Sequence, residues 1–186
     1  CHLGNLYMIG KGFPKDPMKA LALCHPAAQQ GAIPAQIWMG KFYLQGDASI
    51  QDMQEAYRWF EAAAQKHSPE AFYYLGILME KGSSQGHTPQ KARRMFEQAA
   101  ALKYVPAYFQ IGKSFYTAEP DPETHQLSAE HLAKAYVWLS ATVQRPGNPE
   151  EISAAKAMLQ QILVVMPTAW LAELDHKVAR HLLERY

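Results

Sequence analysis

Ala35-Gln36-Ile37-Trp38-Met39-Gly40-Lys41-Phe42-Tyr43 is answered 36 residues later by Ala71-Phe72-Tyr73-Tyr74-Leu75-Gly76-Ile77-Leu78-Met79. It is answered again by Ala107-Tyr108-Phe109-Gln110-Ile111-Gly112-Lys113-Ser114-Phe115. The same step links Gly4 to Gly40, Ala20 to Ala56 and Ala92, Leu23 to Trp59 and Met95, and the pairs Ala27-Ala28, Ala63-Ala64 and Ala99-Ala100. Several registers that share one period identify a repeat architecture.

Each unit reads as two helices. The first starts near Pro34, Pro69 or Pro106, because proline at the first helical position sacrifices no hydrogen bond. It closes at Gly10, Gly46 or Gly82, where glycine can turn left-handed. The second starts behind Asp16, Asp52 or Thr88, side chains that accept from free N–H groups of a first turn. A glycine inside a helix costs about 1 kcal/mol relative to alanine. Its recurrence at Gly40, Gly76 and Gly112 therefore implies close approach of the partner helix. One such pair cannot bury its own apolar stripe, so successive pairs must stack.

The pattern of alanine, an apolar residue before glycine, and tyrosine or phenylalanine after it, then a glycine-ended helix, a capped second helix and an Ala-Ala pair, resembles the Sel1-like repeat, a relative of the tetratricopeptide repeat. The resemblance implies an all-α fold, a right-handed superhelical solenoid of antiparallel helix pairs. It covers residues 1–145 as one truncated and three fuller units, with an insertion at about 117–128. Allowing for that insertion, Ala135 and Trp138 take the positions of Ala92 and Met95. Residues 146–186 read as capping helices. Asn148 and Glu151 suggest a capping box opening a helix to about Val165. Met166-Pro167-Thr168 then breaks the chain before a last helix from Ala169 to about Arg185. This segment is similar to the end of bacterial Sel1-like proteins, which makes the C-terminus the expected natural end and Cys1 the interior of a repeat.

Composition excludes little but points consistently. With 48% hydrophobic residues the chain carries enough apolar mass for a folded core. A net charge of +1 without a basic stripe nominates neither nucleic acid nor an anionic membrane. No apolar run approaches the roughly 20 residues of a membrane span. The histidines lack metal-binding spacing: His176 and His181, on one helix, stand about 140° apart around its axis. Gly112-Lys113-Ser114 looks like the end of a phosphate loop, but Ala107 stands where glycine is required and Gly112 is the repeat glycine. Gly82-Ser83-Ser84-Gln85-Gly86 reads as an inter-helix turn, and Cys24-His25 as helix surface and core. No catalytic residue, metal or cofactor is expected. A cysteine-rich subfamily of these repeats clamps its helices with disulfides, but Cys1 and Cys24 miss those positions; packing is their expected role, and whether they pair is left open.

If tetratricopeptide geometry carries over, the first helices line a concave groove. Ile37, Lys41, Leu44, Tyr73, Ile77, Glu80, Phe109, Lys113 and Tyr116 would face it, suited to a peptide or helix of another protein. The same apolar positions could instead serve packing between repeats. The resemblance implies a protein-binding adaptor or scaffold, at a bacterial cell envelope and periplasmic rather than cytoplasmic. The alternative is a glycan- or peptidoglycan-associated protein, or a regulator of a cell-wall enzyme.

Overall fold

The computed structural model describes residues 1–82, 88–120, 122–124 and 126–183, and among them every regular element is helical. The inter-helix turn read at 82–86 falls largely outside the described residues, as do Asp121 and His125 of the insertion. Two compact units form, Cys1–Ala99 and Ala100–Tyr186.

In the first unit, α1 (His2–Ile9) pairs with α2 (Pro17–Gln29), α3 (Ile33–Gln45) with α4 (Met53–Ala64), and α5 (Pro69–Glu80) with α6 (Pro89–Ala101). Contacts of α2 with α3 and of α4 with α5 join consecutive pairs. The expected caps are present: Asp16 accepts from Lys19 N at 2.9 Å, Asp52 from Gln54 N and Glu55 N at 2.9 and 3.0 Å, and Thr88 Oγ1 from Lys91 N at 3.3 Å.

The repeat glycines are sockets. A methyl group built on Gly40 would stand 2.5 Å from the Phe60 ring, and one on Gly76 2.5 Å from the Phe96 ring. In the second unit the same construction on Gly112 meets Leu139 at 2.8 Å. Phe60, Phe96 and Leu139 are fully buried, so the missing side chain of one helix admits the plug of the next. Gly4 belongs to the series, and its plug is Cys24.

Cys24 is disulfide-bonded to Cys1, with Cα atoms 4.7 Å apart. The packing role expected for this pair is thus corrected in part. Cys24 fills the repeat socket as its position demands, and Cys1 stands at the position of Ile37, Tyr73 and Phe109. The first pair has a covalent bond where later pairs have apolar contact, such as Tyr73 on Phe96 at 5.8 Å between ring centroids.

One helix end differs from the reading. Gly10 and Gly82 are left-handed at φ 71° and 67°, but Gly46 closes α3 with φ −64°. Glycine is needed at 46 for space: a side chain there would meet Phe42 O at 2.7 Å and Ile50 at 2.9 Å. A second left-handed position follows the second helix in each of the first three repeats, at Gly31 (φ 83°), His67 (φ 58°) and Lys103 (φ 64°).

In the second unit α7 (Pro106–Tyr116) packs on α8 (Ala129–Val143), and α9 (Pro149–Val165) lies against both. A 3₁₀ turn (Thr168–Trp170) leads into α10 (Leu171–Leu183), which returns to α8. Ala135 is buried like Ala92. Asn148 caps α9 through Glu150 N at 2.9 Å, but the capping box is incomplete: the Glu151 side chain turns to Gln110 instead, at 3.4 Å. No single described helix is long and apolar enough to cross a membrane; α9 and α10 pass that test only together, bent by 119°.

Candidate protein-binding surface

The first helices α3 and α5 carry the candidate surface of the first unit. Ser68 caps α5 by accepting from Ala71 N at 3.3 Å. That fixes Glu70 in the first turn, where its carboxylate takes a hydrogen-bonded ion pair from Lys41 of α3. Lys41 also stands over the Tyr74 ring at 5.0 Å, and Tyr74 stacks on Phe60 at 4.8 Å. The half-buried cation is thereby tied, through the Tyr74 ring, to Phe60, the plug of Gly40. Burial alone would lower the Lys41 pKa, but the hydrogen bond that Lys41 donates to Glu70, the Glu70 charge and the Tyr74 side chain outweigh it, and the net shift is upward. The ammonium is therefore held charged.

Beside this pair opens a cleft of about 300 Å³ lined by Ile33, Pro34, Ile37, Trp38, Lys41 and Ser68, with Glu70. An apolar wall with one charged pole suits an aliphatic or aromatic side chain next to a polar group. Its one lining carboxylate is Glu70, its Ser68 hydroxyl is engaged in the α5 cap, and among the described residues no three His, Cys, Asp or Glu side chains group to hold a metal.

The nine residues expected to line a groove separate into two kinds. Ile37, Leu44 and Phe109 are 5%, 4% and 8% exposed, and Ile37 and Leu44 belong to the core around Phe60 and Leu75. They offer a partner little surface. Lys41, Tyr73 and Ile77 are half-buried and Glu80 is exposed, so these four remain accessible on α3 and α5. In the second unit, Lys113 and Tyr116 are half-buried against the chain's own α9. Tyr116 donates to Gln161, and the Lys113 charge acts on Glu151. Lys113 and Glu151 thus repeat the relationship of Lys41 and Glu70, a lysine one residue after the repeat glycine beside a glutamate of the next first helix.

From sequence Trp38 has no role beyond core or edge packing, and Glu70 is not singled out. Glu70 was legible: it follows the helix-opening Pro69 as Glu150 and Glu151 follow Pro149.

The sequence profile of the Sel1 repeat matches residues 1–31, 33–68 and 69–104, more than half of the chain. The crystal structure of a Sel1 repeat protein from Oxalobacter formigenes is similar at a TM-score of 0.55 and 25% identity, covering 76% of this chain and 97% of that one. The crystal structure of c5321, a protective antigen present in uropathogenic Escherichia coli strains and displaying an SLR fold, aligns at a TM-score of 0.42 and 17% identity, over 94% of this chain and 47% of that one. No curated protein matches the chain significantly.

Proposed function

Given that the chain belongs to the Sel1 repeat family, whose repeats are generally protein–protein interaction modules and typically not enzymes, we propose that it is an adaptor. In this reading it helps assemble or localise a multiprotein complex at a bacterial cell envelope.

The observation that carries the reading is the accessible stretch of α5 beside the cleft. Tyr73, Ile77 and Glu80 stand one turn apart along α5, the helix whose first turn holds Glu70 of the Lys41–Glu70 pair, and give apolar contact with charges of both signs along one helix. Phe109, Lys113 and Tyr116 contribute less, since Phe109 is core and the other two face α9. The envelope part of the proposal draws on the Cys1–Cys24 disulfide, a bond that persists in oxidising compartments. The test is affinity capture from envelope extracts with wild type and an Ile77→Asp/Glu80→Lys variant. A protein held by wild type and lost by the variant supports the adaptor; retention of cell-wall fragments by both baits, with no protein, replaces it by the glycan reading.

A further inference from the structure

The connection between α1 and α2 departs from its counterpart one repeat later where the scaffold does not require it. Gly10, Asp16 and Ala20 keep the repeat as Gly46, Asp52 and Ala56. Around them Ile9, Phe13 and Met18 stand where the next unit has Gln45, Ser49 and Gln54, and Lys11, Lys15 and Lys19 where it has Asp47, Gln51 and Glu55. The third unit has Lys81, Gln85 and Gln90 at the three apolar positions. Polar residues therefore serve the scaffold at these sites, and packing does not explain apolar ones in the first unit.

The connection is a preformed, open surface. Ile9, Phe13 and Met18 are 59%, 41% and 63% exposed, and all three lysines are exposed too. Lys11 N donates to Leu6 O and Asp16 N to Tyr7 O, both at 3.0 Å, which closes the loop onto the end of α1. Phe13 stacks on Tyr7 at 4.7 Å, and Lys19 Nζ stands 4.5 Å from the centre of the same ring. Lys15 Cβ lies 3.5 Å from where a methyl group on Gly10 would stand, which brings it back beside Lys11. The equivalents Gln45, Asp47, Ser49, Gln51 and Gln54 are exposed although α1 and α2 precede them, so a helix pair packed in front leaves this edge open.

Charge decides the occupant. Residues 1–30 hold three lysines and one acidic residue, Asp16, whose carboxylate caps α2 by accepting from Lys19 N at 2.9 Å. None of the three lysines forms an ion pair among the described residues. Uncompensated cations beside an exposed aromatic ring are complementary to an anionic partner. The patch is also short, because the exposed Asp47 takes the place of Lys11 in the next loop. Packed helices stand about 8–10 Å apart, close to the screening length of about 8 Å at physiological salt. An extended anionic surface laid along this edge would meet Asp47 as well as the lysines, whereas a segment of a few residues meets the lysines alone.

We propose that the α1–α2 loop docks a short acidic segment of another protein, with carboxylates beside Lys11, Lys15 and Lys19 and an apolar side chain against Phe13. The surface is distinct from α5 and does not depend on the reading given for it.

The probe is a displayed library of short random peptides selected against the wild-type protein, the enriched peptides then being titrated singly. They are expected to be rich in aspartate and glutamate and to carry a large apolar residue. Lys11→Asp/Lys15→Gln and Phe13→Ser install residues that the second unit already carries, so both variants should keep the wild-type helical spectrum. The peptides should bind the first at least about tenfold more weakly and the second about fivefold more weakly, and should lose affinity as salt rises. Ile77→Asp/Glu80→Lys should bind the same peptides unchanged, which keeps this result separate from that of α5. Failure to enrich any peptide, enrichment of basic or uncharged ones, or equal binding to Lys11→Asp/Lys15→Gln would overturn the proposal. So would equal binding to Phe13→Ser, or lysine-dependent binding found only with phosphatidylcholine–phosphatidylserine vesicles.

Discussion

Phe60 occupies the space that a side chain on Gly40 would need, its ring 2.5 Å from where the first carbon would stand. The two residues are one fitting, and its copies at Gly76–Phe96 and Gly112–Leu139 hold the other pairs. Gly40→Ala should destabilise by about 1–3 kcal/mol through overpacking, and Phe60→Ala by about 3–5 kcal/mol through the cavity it leaves. In the double variant the added methyl has room, so urea unfolding should give a total smaller than the sum.

The Cys1–Cys24 bond closes a loop between residues 23 apart in sequence. Its removal by Cys1→Ala/Cys24→Ala should cost up to about 3 kcal/mol. It should also leave Gly4 facing an emptier socket. Thiol titration of the denatured, unreduced protein should find no free cysteine; two free thiols would contradict the bond.

His67 and Lys103 hold a left-handed backbone that their repeat equivalent Gly31 adopts without strain. Side-chain-bearing residues lose about 1–2 kcal/mol there, partly offset by the greater freedom that glycine has when unfolded. His67→Gly and Lys103→Gly should therefore each raise stability by about 0.5–1 kcal/mol. A fall in melting temperature for both would refute the argument.

Burial raises the Glu151 pKa, against the opposing hydrogen bond from Gln110 and charge of Lys113. The native state thus holds this proton more tightly than the unfolded one. The corresponding stability is present below the unfolded carboxyl pKa and is lost as pH rises through the folded value. Glu151→Gln should stabilise the protein at neutral pH and lose that advantage in acid. A gain independent of pH would point to packing instead.

Much of this fold was legible because a period exposes geometry directly: glycine, alanine and cap positions recur wherever helices touch. What the period could not show was solvent access. Ile37, Leu44 and Phe109 share registers with Tyr73 and Glu80, yet the first three are buried, because neighbouring elements decide how much of each face remains open. The pairing of Cys1 and Cys24 stays open in the sequence because their equivalents in later units, Tyr73 and Phe96 among them, are apolar. Those two equivalents touch in the fold, and that contact, which the sequence does not display, is what brings the two sulfurs together. The left-handed turn was hidden because only one of its three residues is glycine.

The adaptor reading stands or falls with the binding of another protein by α5. The most direct measurement is calorimetric titration of the protein captured by wild type into purified wild type and Ile77→Asp/Glu80→Lys, each with its helical spectrum recorded. Wild type should bind saturably and the variant at least about tenfold more weakly, a loss of about 1.4 kcal/mol or more, with helicity unchanged. Equal affinity for both proteins would contradict it and remove α5 from the binding surface.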